Sequence, residues 1–290
     1  MRGSTRRVMF IGGAVLVTTL LLGGVALALA VGGTVVGAPD HAVVRASGDV
    51  RWILPGSRQL DPDIFGTPDK PLGFEPGVGV PIEARNVSAD GTEFTATKQP
   101  GPFSDNWAQV SGGSWIRVTD RTAVAGPSTE DRIRGEFRFT SPDGEHDYRL
   151  VMRRTLSQLG DHENFGGVGL NVVQHGRTGI GTKLMPQVFA YMAFWGVADL
   201  YRDGELVAEN QFVHYMLTDQ VRDIDDNYSL GFDEDVTVGD LQAHLILPPI
   251  EVTATGPVPR PVPTGFTLPN NKEQPFLHIM YEEIQTLAGD

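Results

Sequence analysis

Alternating apolar and polar residues give the clearest structural signal in this chain. In IRGEFRFT, residues 133–140, the apolar side chains and Gly135 occupy every second position. A period of two predicts a half-buried β-strand. The turn residues SPDGEHD follow, and YRLVMRRTL, residues 148–156, is predicted to be the returning strand.

A second predicted hairpin is longer. QVFAYMAFWGVADLY, residues 187–201, leads into the turn, and LVAENQFVHYML, residues 206–217, leads out of it. Asp203 and Gly204 between them favour a two-residue hairpin turn. The nearly continuous apolar run around Phe194 is typical of a central strand that is buried on both faces.

Three further strands are predicted toward the C-terminus, in DLQAHLILPP, PTGFTLPN and PFLHIMYEEI. Beyond the N-terminal segment, no stretch shows a sustained 3.6-residue apolar period with helix caps. Short strands separated by turn residues predict an all-β fold, either an antiparallel sandwich or a barrel. The sequence leaves that choice open.

The N-terminal segment differs from the rest of the chain. Arg2, Arg6 and Arg7 form a basic flank, and no charged residue occurs from there to Pro39. A membrane-spanning helix needs about 20 apolar residues, whereas the core of a signal peptide has about 7–15. We therefore expect residues 1–7 to be a basic flank and residues 8–38 to be a transmembrane anchor or a signal segment.

This assignment fixes the expected location. With an uncleaved anchor, the protein is a single-pass protein of the cell membrane whose C-terminal part lies outside the cytoplasm. With cleavage after Ala30, it is secreted. Residues 39–130 are rich in glycine and proline and are predicted to form a stalk with the first strands, and residues 131–290 the main antiparallel β domain.

The charge and cysteine content narrow the function. The chain has 36 acidic and 23 basic residues, and three of the basic ones lie in the N-terminal flank. An exported part this acidic repels nucleic acid and anionic lipid headgroups, so no nucleic-acid partner is expected. We expect contact with the membrane only through the apolar N-terminal helix, and a protein of the cell envelope as a further partner. The absence of cysteine excludes disulfides and thiolate metal sites.

Histidine and methionine alternate on the predicted strands in two places, FVHYMLTD and FLHIMYEEI. Alternate residues of a strand share a face, and each of three strand histidines lies opposite an apolar face. Imidazole and thioether ligands suit copper, and a set of three imidazoles suits zinc. The sequence thus predicts a copper or zinc site from His214, His244, His278, Met216, Met280 and Glu282. The alternative is ordinary packing, since methionine is a common core residue.

A calcium loop is a further candidate in DIDDNYSLGFDE, residues 223–234. Oxygen-bearing side chains occupy positions 1, 3, 5, 7 and 12 of the calcium-binding pattern. These residues are Asp223, Asp225, Asn227, Ser229 and Glu234. Position six, normally glycine, is Tyr228, so the alternative is a solvated acidic connection between strands.

A glycine-rich segment, residues 160–183, carries His162, Glu163 and His175, which suit acid–base chemistry, but it lacks the order of a phosphate-binding loop. The chain contains no G-x-S-x-G or H-E-x-x-H motif. Three functions remain: a ligand- or metal-binding module, a structural component of the envelope, and an enzyme that uses histidine and carboxylate groups. We favour the binding module because three histidines share one predicted surface.

Overall fold

A computed structural model describes residues 41–73, 79–121, 129–156 and 167–287. Eight long antiparallel strands close into a barrel. In chain order they are β1 His41–Ile53, β2 Gly112–Thr119, β3 Arg132–Thr140, β4 Asp147–Thr155, β5 Val188–Arg202, β6 Glu205–Gln220, β7 Thr237–Leu247 and β8 Leu277–Leu287.

Each barrel strand pairs with the next one along the chain, and β8 returns to pair with β1. Neighbouring strands that follow each other in sequence need no crossing connections. The seam between β1 and β8 runs from Val43 opposite Leu287 to Trp52 opposite Ile279. Closure pairs the strands that would otherwise be edges, which would template aggregation. The predicted all-β fold is confirmed, and the architecture is a barrel.

The stretch 39–130 supplies the first two strands of this barrel. Residues 54–73 and 79–106, between β1 and β2, belong to an insertion with a small core of its own, in which apolar side chains pack around Phe65 and Phe94. Arg85 is buried in this insertion, between the two rings, and its guanidinium donates hydrogen bonds to the carbonyl oxygens of Phe65 and Val80. The insertion packs outside the barrel, where it covers part of the wall.

The smaller elements belong to the insertions and connections. A four-residue helix, α1, spans Pro62–Phe65, and 3-10 turns span Ile82–Ala84 and Asp233–Asp235. Four short strands extend the barrel sheet. Trp107–Val110 lies beside β1, Val168–Gln174 beside β5, and Ile250–Thr253 beside β6, where it also pairs with Gly256–Pro259. The other short strands described form separate pairs: Gly66–Thr67 with Lys70–Pro71, Arg85–Val87 with Phe94–Thr97, and Arg222–Asp223 with Ser229–Leu230.

The long predicted hairpin is confirmed as β5 and β6. Asp203 and Gly204 both have positive φ, 53° and 84°, as a type I′ turn requires. Glycine adopts such angles without steric penalty, and aspartate tolerates them. Most of β5 is buried on both faces, because one face lines the barrel and the other lies beneath covering segments.

Large side chains fill the barrel interior. Trp52 packs edge-on against Phe139 and Phe266, with ring centroids 5.9 and 5.6 Å apart. Tyr215 and Tyr281 lie deeper and are fully buried. With its interior packed in this way, the barrel is a core rather than a channel, so a functional site has to lie on its outer wall or at its ends.

Among the residues that the structure describes, no helix is long and apolar enough to cross a membrane. The predicted anchor, residues 8–38, lies outside those residues.

The interior tyrosines give a test of this packing. The hydroxyl groups of Tyr215 and Tyr281 are buried without a hydrogen-bond partner, whereas the Tyr148 hydroxyl donates to the Thr264 carbonyl at 2.5 Å. Removing an unpaired buried hydroxyl relieves its desolvation, so we expect Tyr281→Phe to raise the free energy of unfolding by about 1 kcal/mol. Tyr148→Phe, the matched control, should lower it by about 1 kcal/mol. Urea unfolding of the three proteins measures both changes, and a destabilised Tyr281→Phe would contradict this account.

Candidate metal centre

The predicted histidines lie side by side on one outer surface of the barrel. His214 is on β6, His244 on β7 and His278 on β8, three adjacent strands. Their sequence neighbours, such as Tyr215 and Leu245, point inward and fill the barrel, so the imidazoles must point outward. The two-residue alternation of each strand therefore decides on which side of the wall the histidines lie.

Cross-strand register arranges the outward side chains in rows. In one row Met216 lies opposite His244, and His244 lies opposite Met280, so sulfur, imidazole and sulfur are neighbours. In the next row Ile246 separates His214 from His278. Directly opposed side chains in a sheet have Cβ atoms about 4.5–5.5 Å apart. Long side chains in these rows are therefore within reach of each other.

A fourth histidine, His175, contacts this surface from a loop that packs over the outside of the barrel. His175 follows the strand Val168–Gln174 and has a positive φ of 64°. Its Nε2 lies 2.9 Å from the Met216 sulfur, and its ring centroid is 6.1 Å from that of His214. Gly181 allows this approach, because a Cβ there would lie 2.5 Å from the imidazole. We call the whole group the His/Met cluster: His175, His214, His244, His278, Met216 and Met280.

Covering segments exclude solvent from the His/Met cluster. Four of its members are 0% exposed, and His175 and His214 are 2% and 8% exposed. The Phe103 ring, from the first insertion, packs against His278 with centroids 5.8 Å apart. The Trp195 ring stacks on His214 at 4.5 Å. The outward side chains of β6–β8 at the His/Met cluster are thus as buried as those of the barrel core.

Hydrogen bonds fix the tautomers of the four imidazoles. A carbonyl oxygen only accepts, so a ring nitrogen bonded to it must carry the proton. Nδ1 donates to a carbonyl in three cases: His175 to Thr182 at 3.0 Å, His214 to Phe194 at 3.0 Å and His278 to Pro102 at 2.7 Å. In each of these rings the lone pair is consequently on Nε2.

His244 has the opposite tautomer. Its Nε2 lies 3.4 Å from the Thr218 hydroxyl oxygen, which itself donates to the Asp219 carbonyl at 2.7 Å. Since that hydroxyl proton is already used, Nε2 of His244 is the donor and its lone pair is on Nδ1. Neither Nδ1 of His244 nor Nε2 of His214 has a hydrogen-bond partner.

Two imidazole lone pairs face sulfur atoms that also offer only lone pairs. Nε2 of His175 is 2.9 Å from the Met216 sulfur, and Nε2 of His278 is 3.1 Å from the Met280 sulfur. A thioether has no proton to donate. Each contact therefore brings two electron-rich atoms together without a hydrogen between them. A soft cation shared by the nitrogen and the sulfur would turn this repulsion into attraction.

Burial keeps the imidazoles neutral. It lowers the pKa of His175 to about 4 and the pKa values of His214 and His278 to about 3. The pKa of His244 is lowered well below its ordinary value by burial and, secondarily, by the neighbouring His278. The neutral ring is the form that binds metal ions, and here it persists into acidic solution.

Glu282, the sixth predicted ligand, shares the outward face of β8 but is engaged elsewhere. Its carboxylate accepts a short hydrogen bond from the Tyr228 hydroxyl and lies 3.5 Å from the Arg51 guanidinium and 3.4 Å from the Gln242 amide nitrogen. Burial raises the pKa of this carboxyl above its ordinary value. Glu282 is part of a polar network next to the His/Met cluster, and the cluster itself has no carboxylate.

The three imidazoles predicted for a zinc site are neighbours but do not surround one point. Within the described parts of the chain, no three histidine, aspartate or glutamate side chains are placed to hold one metal ion. The geometry thus gives no support to a three-histidine zinc centre. A mixed site with one or two imidazoles and a thioether is a different donor set, and it is the one that the rows of the His/Met cluster bring together.

The predicted calcium loop is a tight hairpin in which several of the predicted ligands already have hydrogen-bond partners. A carboxylate oxygen of Asp223 accepts from the backbone N–H groups of Asp225 and Asp226 at 2.8 and 3.2 Å. The Asn227 carbonyl accepts from the Trp107 indole at 2.9 Å. Ser229 donates to Asp226, and Glu234 lies in the separate 3-10 turn Asp233–Asp235. The structure therefore does not gather these residues around a common point.

Tyr228 explains the departure from the calcium pattern. It has a φ of 61°, the left-handed conformation that glycine normally supplies at this position, and its side chain is 1% exposed. The ring packs beneath Arg51, 4.2 Å from the guanidinium, and contacts Met280 and Ile53. In this protein the hairpin places an aromatic cover over one end of the His/Met cluster.

An open groove of about 1120 Å³ lies beside the cluster at one end of the barrel. Prolines and aromatic side chains form much of its wall, among them Pro55, Pro100, Pro102, Trp107, Phe266 and Phe276. Pro102 is shared by both sites, since its ring lines the groove and its carbonyl accepts from His278. The segment around Pro102 and Phe103 is thus the wall between solvent and the His278 side of the cluster.

Strand alternation predicts His214, His244, His278 and the two methionines on one surface, whereas the sequence places His175 in a glycine-rich segment with acid–base candidates. Of those candidates, His162 and Glu163 lie outside the described residues. His175 reaches the cluster because a loop folds over the wall, a contact that strand periodicity cannot predict. Its one sequence signal is the surrounding glycine, since HGRTGIG allows close approach.

Comparison of the chain with protein-family models, with curated proteins and with solved structures found no match.

The lowered pKa values of the cluster histidines predict that the free energy of unfolding falls steeply as the solution becomes acidic. Each cluster histidine is neutral when folded but takes up a proton near pH 6.5 when unfolded, so the unfolded state binds more protons below that pH. The stabilisation is complete above about pH 6.5 and is lost as the pH falls toward 4. We expect a loss of about 2 kcal/mol per histidine at pH 5. Urea unfolding of metal-free protein at pH 7, 6 and 5 measures this.

The variant His214→Leu identifies the source of this pH dependence. It should reduce the slope of unfolding free energy against pH by about one proton between pH 6 and 5. Ordinary carboxylates titrate mainly below this range. A free energy of unfolding that does not change from pH 7 to pH 5 in the unsubstituted chain would contradict the burial of neutral imidazoles.

Proposed function

We propose that this chain is an exported, membrane-anchored barrel of the cell envelope that binds copper(I) in its His/Met cluster. The observation that carries the proposal is the pair of nitrogen–sulfur contacts, His175 with Met216 and His278 with Met280, in which two lone pairs meet with no proton between them. Methionine sulfur and neutral imidazole are the soft and intermediate ligands that favour copper(I).

The composition of the cluster argues against harder ions. Calcium and magnesium require several oxygen ligands, and the carboxylate nearest the cluster in sequence, Glu282, is held by Tyr228 and Arg51. Zinc in a thiol-free protein favours three imidazoles or a carboxylate. Copper(I) is therefore the ion that a set of four imidazoles and two thioethers matches best.

The second layer of contacts fits the same role. Metal-binding histidines usually donate their other ring N–H to a carbonyl or carboxylate, which fixes the ring and aims its lone pair. All four cluster imidazoles have such a partner: Thr182, Phe194 and Pro102 carbonyls and the Thr218 hydroxyl. Ordinary buried histidines need only have their polar atoms satisfied, yet His214 and His244 each keep one nitrogen unpartnered.

The cluster can be grouped into two sets of the same composition. One contains His175, His214 and Met216, and the other contains His244, His278 and Met280, each with two imidazoles and one thioether. His244 also lies opposite Met216. A soft ion held by both atoms would lie between the nitrogen and the sulfur, which are 2.9 and 3.1 Å apart in the two contacts. Ion binding would therefore require each contact to open.

The groove offers a route for the ion. Pro102 and Phe103 separate the groove from His278, and a small displacement of this segment would bring the His278 ring into contact with the groove. Exchange with another copper carrier in the groove would need no opening of the barrel. This role suits a protein outside the cytoplasm, where a thiol-free site resists oxidation to disulfide.

Isosteric substitution of the methionines tests the proposal. Leucine nearly matches methionine in volume, so Met216→Leu/Met280→Leu should change the free energy of unfolding by less than about 1.5 kcal/mol per site while removing both sulfur ligands. We expect the full chain, purified without a histidine tag, to hold copper(I) against a chromophoric chelator under anaerobic conditions. The double variant should bind at least about tenfold more weakly.

Met192→Leu is the matched control, because Met192 is equally buried but faces the barrel interior. It should bind copper as the unsubstituted chain does. Copper at about 100 times its dissociation constant should add about 2.7 kcal/mol to the free energy of unfolding. If the unsubstituted chain retains no copper and its melting temperature does not change on addition, the protein is a structural component without this site.

A further inference from the structure

The opposite wall of the barrel is exposed and rich in arginine. On β1–β4, outward positions carry arginine side chains that no covering segment of the described chain buries. We call this group the arginine face: Arg45, Arg117, Arg132, Arg134, Arg138 and Arg149. Trp115 lies among them with 46% of its surface exposed. Glu136 is also there and binds Arg138 at 2.6 Å and Arg149 at 3.5 Å.

Like charges lie directly opposite each other on this face. Arg117 is the cross-strand partner of Arg134, and Arg138 is the partner of Arg149. Opposed like charges destabilise a sheet. Glu136 binds Arg138 and Arg149, but arginine outnumbers carboxylate on this face, and the excess positive charge suits an anionic partner that binds from outside.

The chemistry of the face points to phosphate groups. The arginine guanidinium presents paired donors that match phosphate, and arginine is less strongly hydrated than lysine. Arg45, Arg138 and Trp115 border a shallow groove of about 580 Å³ whose floor includes Gly112 and Gly113. Arginine beside an exposed tryptophan is typical of surfaces that meet the headgroup layer of a membrane.

The position of the face relative to the N-terminus identifies the partner. His41, the first residue of β1, pairs across the strands with Thr119 of β2, and Thr119 pairs with Arg132 of β3. The start of β1 therefore lies at the same end of the sheet as Arg132, a member of the arginine face. The predicted anchor ends at residue 38, so residues 39 and 40 connect it to the barrel. Three Cα–Cα steps span at most about 11 Å. An anchor in the bilayer therefore holds this edge of the barrel at the headgroups.

The remaining charge agrees with this orientation. In the order of the eight strands, β3 lies across the barrel from β7. The connection that precedes β7 carries a dense set of acidic side chains, namely Asp223, Asp225, Asp226, Asp233, Glu234 and Asp235. With arginine on one side and carboxylates on the other, an anionic surface attracts the first and repels the second.

We propose that the arginine face docks on anionic phospholipid headgroups of the membrane that holds the predicted anchor. A short tether gives an effective concentration in about the millimolar range, so the face needs only weak affinity for lipid. Docking lays the β1–β4 wall on the bilayer and leaves the groove beside the His/Met cluster accessible. This inference does not depend on copper binding and shares with the proposed function only the predicted anchor.

Site-specific labelling tests the proposal, because the chain contains no cysteine. The full chain with Gln285→Cys, opposite Arg45 on the face, carries a fluorophore and is reconstituted in nanodiscs with nitroxide-labelled lipid. The control label, Ala254→Cys, is in the exposed turn between Ile250–Thr253 and Gly256–Pro259, which extend the sheet beside β6 and not beside β1–β4. We expect strong quenching at position 285 in discs with phosphatidylglycerol, weak quenching in phosphatidylcholine, and little at position 254. High salt should abolish the difference.

Charge reversal on β3 provides the decisive variant. Arg134→Glu/Arg138→Glu places carboxylates opposite Arg117 and Arg149 but removes the exposed ion pair of Arg138 with Glu136. These effects oppose each other, so the melting temperature should change little, while most of the lipid-dependent quenching is lost. Lys70→Glu/Lys98→Glu, an equal charge change on exposed residues of the first insertion, should leave the quenching intact.

Three results would overturn the proposal. These are equal quenching in the two lipids, unchanged quenching in the arginine variant, and equal losses in the arginine and lysine variants. A label at position 285 that responds to a DNA duplex or an acidic peptide, but not to anionic lipid, would assign the face to that partner instead. Copper retention, measured on the same samples, is expected to be unaffected in every case.

Discussion

Closure of the barrel through the pairing of β1 with β8 is the constraint on which the rest of this structure depends. It joins strands from the two ends of the described chain, from Val43 with Leu287 to Trp52 with Ile279. The closed barrel is small enough for Trp52, Phe137, Tyr215 and Tyr281 to fill it. With the interior occupied, the inward side chains stabilise the fold, and both the His/Met cluster and the arginine face lie on the outer surface.

The outer surface of the barrel is covered by other segments over β6–β8 and exposed to solvent over β1–β4. Over β6–β8, insertions and loops remove the wall from water, which makes four imidazoles neutral and leaves two of their nitrogens unpartnered. Over β1–β4 the wall stays exposed and accumulates arginine. Burial thus creates a soft, uncharged donor set on one side, and exposure permits a positive field on the other. The same strand alternation produces both, since it separates inward from outward residues.

Particular residues show how far sequence patterns reach. Alternation in FVHYMLTD, DLQAHLILPP and FLHIMYEEI placed His214, His244 and His278 on one face, and the structure has them there. The same alternation put Glu282 beside Met280, but the Tyr228 hydroxyl and Arg51 hold its carboxylate. Net charge predicts repulsion from anionic surfaces. It is a sum over the whole chain, however, and it does not show that arginine side chains gather on β1–β4 while carboxylates gather in the connection before β7. Spacing suggested a calcium loop, whereas in the hairpin Asp223 bonds the backbone and Tyr228 is buried.

The sequence by itself determined what depends on near neighbours: the strands, the Asp203-Gly204 turn, the inward and outward sides of each strand, and a thiol-free donor set. These properties follow from backbone geometry over a few residues and from composition. Tertiary structure alone decided on a barrel over a sandwich, brought His175 to Met216, and set Arg117 opposite Arg134. Such contacts join residues tens of positions apart, and their energies depend on the register and burial of the whole sheet, which no local pattern encodes.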